Sequence, residues 1–117
     1  MNIEEIRDYC LTKKAVEESF PFGEENLVFK VGGKIFAIMD IENGKSINLK
    51  CDPELAVELR ERYTYVSAGY HMNKVHWNTI DLADFVDSDL LRNWINHSYD
   101  LIVSSLPKRI RVEFDLD

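Results

Sequence analysis

The chain has 117 residues, of which 45% are hydrophobic, and a formal net charge of −7 at neutral pH. This length fits one domain whose core needs no disulfide or metal for stability, and the hydrophobic content excludes a disordered chain. The negative charge opposes non-specific binding of DNA or anionic membranes by the molecule as a whole.

The N-terminal residues are acidic and lack the features of a signal peptide. No apolar run is long enough to span a bilayer. We therefore expect a cytoplasmic protein without a membrane partner. Cys10 and Cys51 have no metal-binding or redox spacing, and we expect two free, buried thiols. Cys51 follows Lys50 and precedes a predicted helix, which makes it the better candidate for a reactive thiol.

The first elements are a helix and a short strand. Asn2 can cap a helix, and Glu5 stands where it would complete a capping box. We expect this helix to end near Lys13 and a short strand to occupy residues 16–20.

A hairpin is the clearest structural signal in the chain. The β-rich runs 27–31 and 34–41 flank Gly32-Gly33, and two glycines at this place predict a tight turn because both positions favour positive φ. Asn43-Gly44 is a second turn signal, followed by a predicted strand at residues 46–51.

Asp52-Pro53 predicts the start of a second helix, since Asp is a good cap and Pro is favoured at the first helical position. Residues 75–82 are predicted to form a strand. Its alternation would place one set of side chains on one face and a second set on the other, namely Lys74, His76 and Asn78 against Val75, Trp77 and Thr79.

Asp87 or Ser88 is predicted to cap a last helix that ends before Pro107. Residues 109–117 alternate between apolar and charged side chains, which predicts a half-buried strand as a C-terminal extension of a single domain 1–117. Tight turns require antiparallel pairing. The element order therefore predicts an α+β fold in which helices pack on one face of an antiparallel sheet.

Residues 70–78, here called the polar segment, are the most distinctive run of the sequence. They contain two imidazoles, two amides, one ammonium group and two large aromatic side chains, and no acid. Because nearly every side chain in this segment can hydrogen-bond or stack on a partner, we interpret it as the main candidate binding site.

Several strings of the sequence resemble the MmcQ/YjbR family of small bacterial proteins. They are Ser19-Phe-Pro-Phe-Gly23, residues 28–37, Leu49-Lys-Cys-Asp-Pro-Glu54, Tyr70-His-Met-Asn-Lys-Val-His-Trp-Asn-Thr79 and residues 98–103. The resemblance implies a fold similar to the bacterial frataxin relative CyaY and a double-wing mode of DNA binding through β-hairpins. The chain departs from the family at Lys14-Ala15-Val16, where Lys-Pro-Gly is usual, and the run 109–117 extends past the usual family end.

DNA is the first partner that we consider. Lysine can reach phosphates, asparagine can contact base edges and aromatic rings can stack on unpaired bases. This hypothesis expects the lysines to share one exposed face. Its residues are Lys30, Lys34, Lys50 and Lys74, with Tyr70, Asn73, His76, Trp77 and Asn78.

The alternative is a pocket or docking surface for a small anion, a peptide or a protein, in which His71, Asn73, His76 and Asn78 converge. A third interpretation assigns no binding role. In it, Tyr70 and Trp77 belong to the core or its rim, and the lysines protect sheet edges from aggregation. The oligomeric state stays open.

The sequence does not predict catalysis, a cofactor or a metal. His71 and His76 would lie on opposite faces of a strand without a third ligand nearby. Ser98 lacks the glycine-flanked turn of a nucleophile, and we expect it to be buried and bonded within its own helix. The glycines at 32 and 33 are not followed by a helix, as a phosphate-binding loop would be.

Overall fold

A computed structural model describes residues 1–42, 45–70, 72–83 and 85–117. Within these residues the elements are, in chain order, α1 (Ile3–Leu11), β1 (Val16–Ser19), β2 (Asn26–Val31), β3 (Lys34–Asp40), β4 (Ser46–Lys50), α2 (Pro53–Arg62), β5 (Val66–Ala68), β6 (Trp77–Asp81), α3 (Ser88–Ser105) and α4 (Lys108–Glu113). The turn predicted at Asn43-Gly44 lies outside the described residues.

The strands form a six-stranded sheet in the order β1-β2-β3-β4-β6-β5, and the paired strands are antiparallel. Buried side chains of α1, α2 and α3 form one core with side chains from a single face of this sheet. The prediction of an α+β fold with helices on one face is therefore confirmed. We call the opposite side of the sheet the open face.

The predicted caps and the glycine turn are confirmed. Asn2 accepts a hydrogen bond from the Glu5 backbone amide while the Glu5 carboxylate accepts one from Asn2. Asp52 and Asp87 cap α2 and α3, each with a side chain that accepts hydrogen bonds from two backbone amides. In the β2–β3 turn, Gly32 and Gly33 have φ of 58° and 83°.

The region before β6 differs from the prediction. A short strand, β5, precedes the polar segment and was not anticipated. The strand β6 begins at Trp77 instead of residue 75, because Lys74, Val75 and His76 form a turn. The predicted face that joined Lys74, His76 and Asn78 is therefore wrong. Of the three, only Asn78 lies in the strand, and its side chain is buried.

The tail at residues 109–117 is not a strand. Residues 108–113 form the short helix α4, which begins directly after Pro107. Its Arg111 guanidinium donates hydrogen bonds to the Leu106 carbonyl at 2.6 Å and to the Asp117 carboxylate at 2.7 Å. These contacts favour a compact turn, and the alternating pattern does not reflect strand burial, since Val112 is 60% exposed.

Ser98 is buried as expected, but it does not bond to its own helix. Its hydroxyl donates to the Phe36 carbonyl at 2.6 Å and accepts from the Lys50 backbone amide at 2.9 Å. Phe36 stands at a register shift between β2 and β3, where it has no paired residue on β2. Ser98 thus joins α3 to β3 and β4 at this irregularity.

Candidate binding cleft on the open sheet face

The residues of the open face form rows that cross the strands. A middle row takes one residue from each strand, in spatial order Ser19, Val28, Ile38, Asn48, Thr79 and Ser67. Only Val28 and Ile38 among them are apolar and both are buried, so the row changes from apolar to hydroxyl and amide along its length.

The rows on either side carry opposite charge. The row nearer the β2–β3 turn holds cations beside apolar groups and consists of two separately paired sets. Glu17, Lys30 and Ile35 pair across β1, β2 and β3, and Lys50 pairs with Trp77 across β4 and β6. The row at the other end comprises Asn26, Asp40, Ser46 and Asp81. The open face is therefore more basic at one end and acidic at the other.

A cleft of about 540 Å³ opens on this face. Half of its lining is apolar or aromatic and half is polar: Phe22, Ile35, Ile38, Tyr70 and Met72 against Asn26, Asp40, Ser46, Asn48 and Thr79. Concave sites with an apolar body and a few oriented polar groups are typical of small-ligand binding.

The polar segment forms one wall of the cleft. The Tyr70 backbone amide donates to the Thr79 hydroxyl at 2.9 Å. That hydroxyl in turn donates to the side-chain oxygen of Asn48. This chain of bonds holds the start of the polar segment against the cleft floor, while the Tyr70 side chain stays 68% exposed.

Gly69 permits the close approach of the two hairpin strands. Its backbone amide donates to the Trp77 carbonyl at 2.8 Å. A Cβ at this position would lie 2.8 Å from the Trp77 Cβ and 3.0 Å from its carbonyl oxygen, so a side chain would force the strands apart. The Lys74 ammonium folds back and donates to the Gly69 carbonyl at 3.0 Å.

The Asn73 side chain builds the turn that precedes β6. Its Oδ1 accepts hydrogen bonds from the backbone amides of Val75 at 2.9 Å and His76 at 3.3 Å. This pattern is the side-chain mimic of a backbone turn that asparagine commonly forms. The Asn73 carbonyl also accepts from the Trp77 amide at 3.0 Å. Both the side-chain oxygen and the backbone oxygen of Asn73 therefore accept hydrogen bonds within the loop.

Arg60 of α2 attaches this loop to the helical layer. Its Nε donates to Asn78 Oδ1 at 2.6 Å, and its Nη2 donates to the carbonyls of Trp77 at 3.3 Å and Lys74. The Asn78 amide completes the connection by donating to the Ala56 carbonyl at 3.4 Å. We call these contacts the Arg60 latch.

The structure separates the residues that the sequence grouped. Lys30 and Lys50 lie on the open face, whereas the Lys34 ammonium lies 3.5 Å from the Ser105 hydroxyl at the end of α3. Lys74 belongs to the loop beyond β5. The four lysines therefore do not share one face, as the DNA hypothesis expected.

The predicted convergence of His71, Asn73, His76 and Asn78 is not formed by the described residues. Asn78 is only 2% exposed and bonds inward, so it cannot contact a partner. His76 is exposed and Trp77 half-buried, while His71 lies outside the described residues. The sequence reasoning missed Asn48 and Thr79. Their alternation with core residues in β4 and β6 was the signal that could have identified them.

The cysteines are buried free thiols, as predicted. Burial raises the pKa of Cys10 to about 12. Burial and the neighbouring Asp52 carboxylate raise the pKa of Cys51 to about 11, so the interpretation of Cys51 as a reactive thiol is not supported. Within residues 1–42, 45–70, 72–83 and 85–117, no cluster of three or more His, Cys, Asp or Glu side chains could hold a metal ion. Among the helices in these residues, none is long and apolar enough to cross a membrane.

Two curated relatives share the sequence over most of its length. The uncharacterised protein YbdF of Escherichia coli O157:H7 is 42% identical over 95 residues, which cover 80% of this chain and 78% of the relative. The uncharacterised protein YjbR of Escherichia coli K12 is 32% identical over 112 residues, which cover 95% of each chain.

Solved structures share the fold as well. The crystal structure of Deinococcus radiodurans protein DR2400 matches with a TM-score of 0.90 at 35% identity, over 97% of this chain and 88% of the other. A crystal structure of a Pseudomonas syringae protein matches with a TM-score of 0.74 at 28% identity, over 87% and 99% of the two chains. The YjbR family model matches residues 11–101. The chain therefore belongs to the YjbR family.

Proposed function

We propose that the protein is a non-enzymatic cytoplasmic binding protein and that it takes a small amphipathic ligand in the cleft of the open face. The observation that carries this proposal is the cleft itself, which combines apolar and aromatic walls with hydroxyl and amide groups from neighbouring strands. The free thiols at Cys10 and Cys51 agree with a reducing compartment.

The chemistry of the buried groups supports binding over turnover. The Ser98 hydroxyl is engaged on both sides by backbone groups, and the two thiols are protonated at neutral pH because burial raises their pKa. The Thr79 hydroxyl is likewise engaged, by the Tyr70 amide and the Asn48 side chain, and these two polar residues lie beside Ile38 on a surface that a ligand can reach. A site of this kind orients a ligand without activating it.

The test is a titration of the protein with anilinonaphthalene sulfonate, an amphipathic fluorescent probe, followed by fluorescence and by proton–nitrogen correlation NMR. We expect fluorescence enhancement and shifts of the amide signals of Ile38, Asn48 and Thr79. The variant Tyr70→Ala removes an aromatic side chain from one wall of the cleft and should weaken binding by about fivefold, which corresponds to the loss of about 40 Å² of apolar contact.

Phe85→Ala is the matched control, because Phe85 is an aromatic residue that is 85% exposed and lies outside the cleft lining. It should leave the affinity for the probe unchanged. Signal shifts confined to α1 or α3, with equal affinity for both variants, would reject the cleft as the binding site.

DNA binding is the second candidate function, and one observation favours it. The end of the sheet at the β2–β3 turn collects cations from separate segments, since Lys30 and Lys50 both lie on the open face and Lys34 lies next to that turn. Such a group of cations can contact phosphates. Glu17, Asp40 and Asp81 on the same face act against a polyanion, and for this reason we place DNA second.

The DNA hypothesis is tested by titrating labelled duplex and single-stranded DNA at low and moderate salt. About three phosphate contacts, one for each of these lysines, would give a slope of roughly −3 in log affinity against log salt. Lys34→Glu should abolish this binding, whereas Arg62→Glu on α2 should not. Affinity that responds to neither Lys34→Glu nor Lys74→Glu would remove the hairpins from DNA recognition.

A further inference from the structure

We infer that the ligand of the open-face cleft is a short peptide with charged termini, which lies along the strands with its amino group near Asp40 and its carboxylate near Lys50. This inference rests on the proposed function and specifies its ligand. It starts from the unequal distribution of charge over the two ends of the open face.

The acidic end is built into the cleft. Asp40 lines it, and the paired residues of the same row, Asn26 and Ser46, line it as well. Asp81 is the next residue of this row, opposite Ser46 on β6. Asp40 and Asp81 each accept a hydrogen bond from a backbone amide, of Glu42 at 3.1 Å and of Ala83 at 2.8 Å. A carboxylate can accept several hydrogen bonds, and the two negative charges at this end suit an ammonium group.

The opposite end offers a cation whose paired residue on β6 is aromatic. Lys50 lies opposite Trp77 on the open face, two residues along β4 from the cleft residue Asn48. Ile35, at the same end, forms part of the cleft lining. Lys30 adds a second cation to this row, although Glu17 lies opposite it on β1. A carboxylate is the simplest ligand group that this end would favour.

The spacing of the two ends sets the length of the ligand. Ser46 and Lys50 mark the acidic and basic rows on β4 and are four residues apart. At about 3.3 Å per residue the rows are separated by roughly 13 Å. An extended chain of about four residues spans the same distance between its termini.

The middle of the cleft fits the body of a peptide better than that of a purely apolar or polyanionic ligand. Ile38 and Met72 offer apolar contact for side chains, and Asn48 and Thr79, which bond to each other, form a polar floor beneath a peptide backbone. A long alkyl chain would cover the charged Asp40 carboxylate of the lining with apolar surface, which costs free energy. A polyanion would meet the carboxylates of Asp40 and Asp81, and like charges at short distance disfavour binding.

The experiment uses the tetrapeptide Gly-Leu-Phe-Gly in three forms: with free termini, with an acetylated amino terminus and with an amidated carboxyl terminus. Binding to the full chain is followed by calorimetry and by amide shifts in NMR. We expect each blocked form to bind about fivefold more weakly, because each lacks one partly exposed ion pair.

Variants assign each end of the peptide. Asp40→Asn should remove the effect of acetylation and leave that of amidation, whereas Lys50→Gln should do the reverse. Lys108→Gln on α4 is the control and should preserve both effects, since Lys108 is exposed at the C-terminal end of the chain and does not line the cleft.

Equal affinity of the free and blocked peptides for the wild-type protein would overturn the inference, even if a variant did not fold. Failure of the peptide to compete with anilinonaphthalene sulfonate bound in the cleft would also overturn it, while leaving the proposed function intact. Failure of the probe and the peptide alike to shift the signals of Ile38, Asn48 and Thr79 would reject both the proposed function and the inference.

Discussion

Two hairpins of the sheet reverse the direction of the chain by different means. The β2–β3 connection is a two-residue turn in which Gly32 and Gly33 adopt positive φ. The β5–β6 connection spans residues 69–76 and depends on bonds from the side chains of Asn73, Lys74 and Arg60. The β2–β3 turn forms because its two glycines have no side chains to hinder positive φ. The β5–β6 connection keeps its shape because side chains form hydrogen bonds to its backbone.

This comparison changes how the polar segment is interpreted. A run rich in amides and cations suggests a binding site, yet Asn73, Lys74 and Asn78 bond mainly to the loop itself and to α2. An irregular loop must satisfy its backbone amides and carbonyls without a strand partner, and side chains do this here. The polar segment therefore forms one wall of the cleft, and the other residues that line the cleft belong mostly to the open face of the sheet.

Breaking the Arg60 latch should have the largest effect. Asn78→Ala removes the acceptor of the Arg60 Nε and a donor to Ala56, and leaves a guanidinium partly buried with fewer partners. We expect the free energy of unfolding to fall by about 3 kcal/mol, since a hydrogen bond to a charged group is lost and a polar group is left unsatisfied. Urea denaturation followed by tryptophan fluorescence measures this change.

Asn93→Ala on α3 provides the control for the loss of an asparagine side chain. Asn93 is exposed, so its replacement should change the free energy of unfolding by less than about 0.5 kcal/mol. If Asn78→Ala were as mild as Asn93→Ala, the latch would contribute nothing and the β5–β6 loop would hold its shape by backbone preference alone.

Adding a side chain to the glycine turn should destabilise the protein more where there is less space around the glycine. Gly32→Ala places a Cβ 2.6 Å from Leu106 Cδ1 at positive φ, whereas Gly33→Ala meets no atom within 4 Å. We expect the free energy of unfolding to fall by about 2 kcal/mol for Gly32→Ala and by about 1 kcal/mol for Gly33→Ala, because only the first adds a clash to the backbone strain.

Thermal unfolding of the two glycine variants measures this difference side by side. Equal destabilisation would mean that Leu106 moves away without cost and that backbone strain alone determines the result. A milder effect of Gly32→Ala than of Gly33→Ala would contradict the packing of the turn against the end of α3.

The turn built by Asn73 offers a smaller test of the same comparison. Asn73→Ala removes the Oδ1 that accepts from the amides of Val75 and His76. We expect a loss of about 1 kcal/mol in the free energy of unfolding, similar to the loss of a helix cap. Asn73→Asp keeps an acceptor oxygen in place and should recover most of this loss. Hydrogen exchange at the Val75 and His76 amides would locate the effect, and unchanged protection in Asn73→Ala would contradict it.

Sequence patterns predicted those parts of the fold in which a local preference and the final contact agree. The Asn2 capping box, the Asp52-Pro53 helix start and the paired glycines are local signals, and each is formed as expected. The run 109–117 alternated like a strand, but Pro107 and the bonds of Arg111 made a helix of it. Those contacts join residues five and six positions apart and depend on one arginine side chain, so they leave no periodic signal.

The candidate site was less predictable because its contacts join residues that are far apart in the sequence. Lys30 and Lys50 were expected on a sheet surface and lie there. The inward orientation of Asn78 depends on Arg60, eighteen residues earlier in the sequence, and nothing within the polar segment indicates this partner. The cleft joins side chains of several strands, so its residues are far apart in sequence and only the strand order brings them together.

The ion pair of Arg7 with Glu18 gives the smallest effect and a reference for polar contacts outside the hairpins. The hydrogen bond from Arg7, and then its charge, lower the pKa of the Glu18 carboxyl below its usual 4.5. A carboxyl whose pKa is lower in the folded state stabilises the fold above its unfolded pKa, and this contribution is lost as the pH falls through the folded pKa. Glu18→Gln should therefore reduce the free energy of unfolding slightly at pH 7 and not at all at the acidic end of the titration.

Urea denaturation of the wild-type protein and of Glu18→Gln across this pH range measures the difference between the two proteins. Because the pair is exposed, the difference should remain well below that of Asn73→Ala. A larger difference would mean that side-chain bonds in the β5–β6 loop are not unusual in strength for this protein.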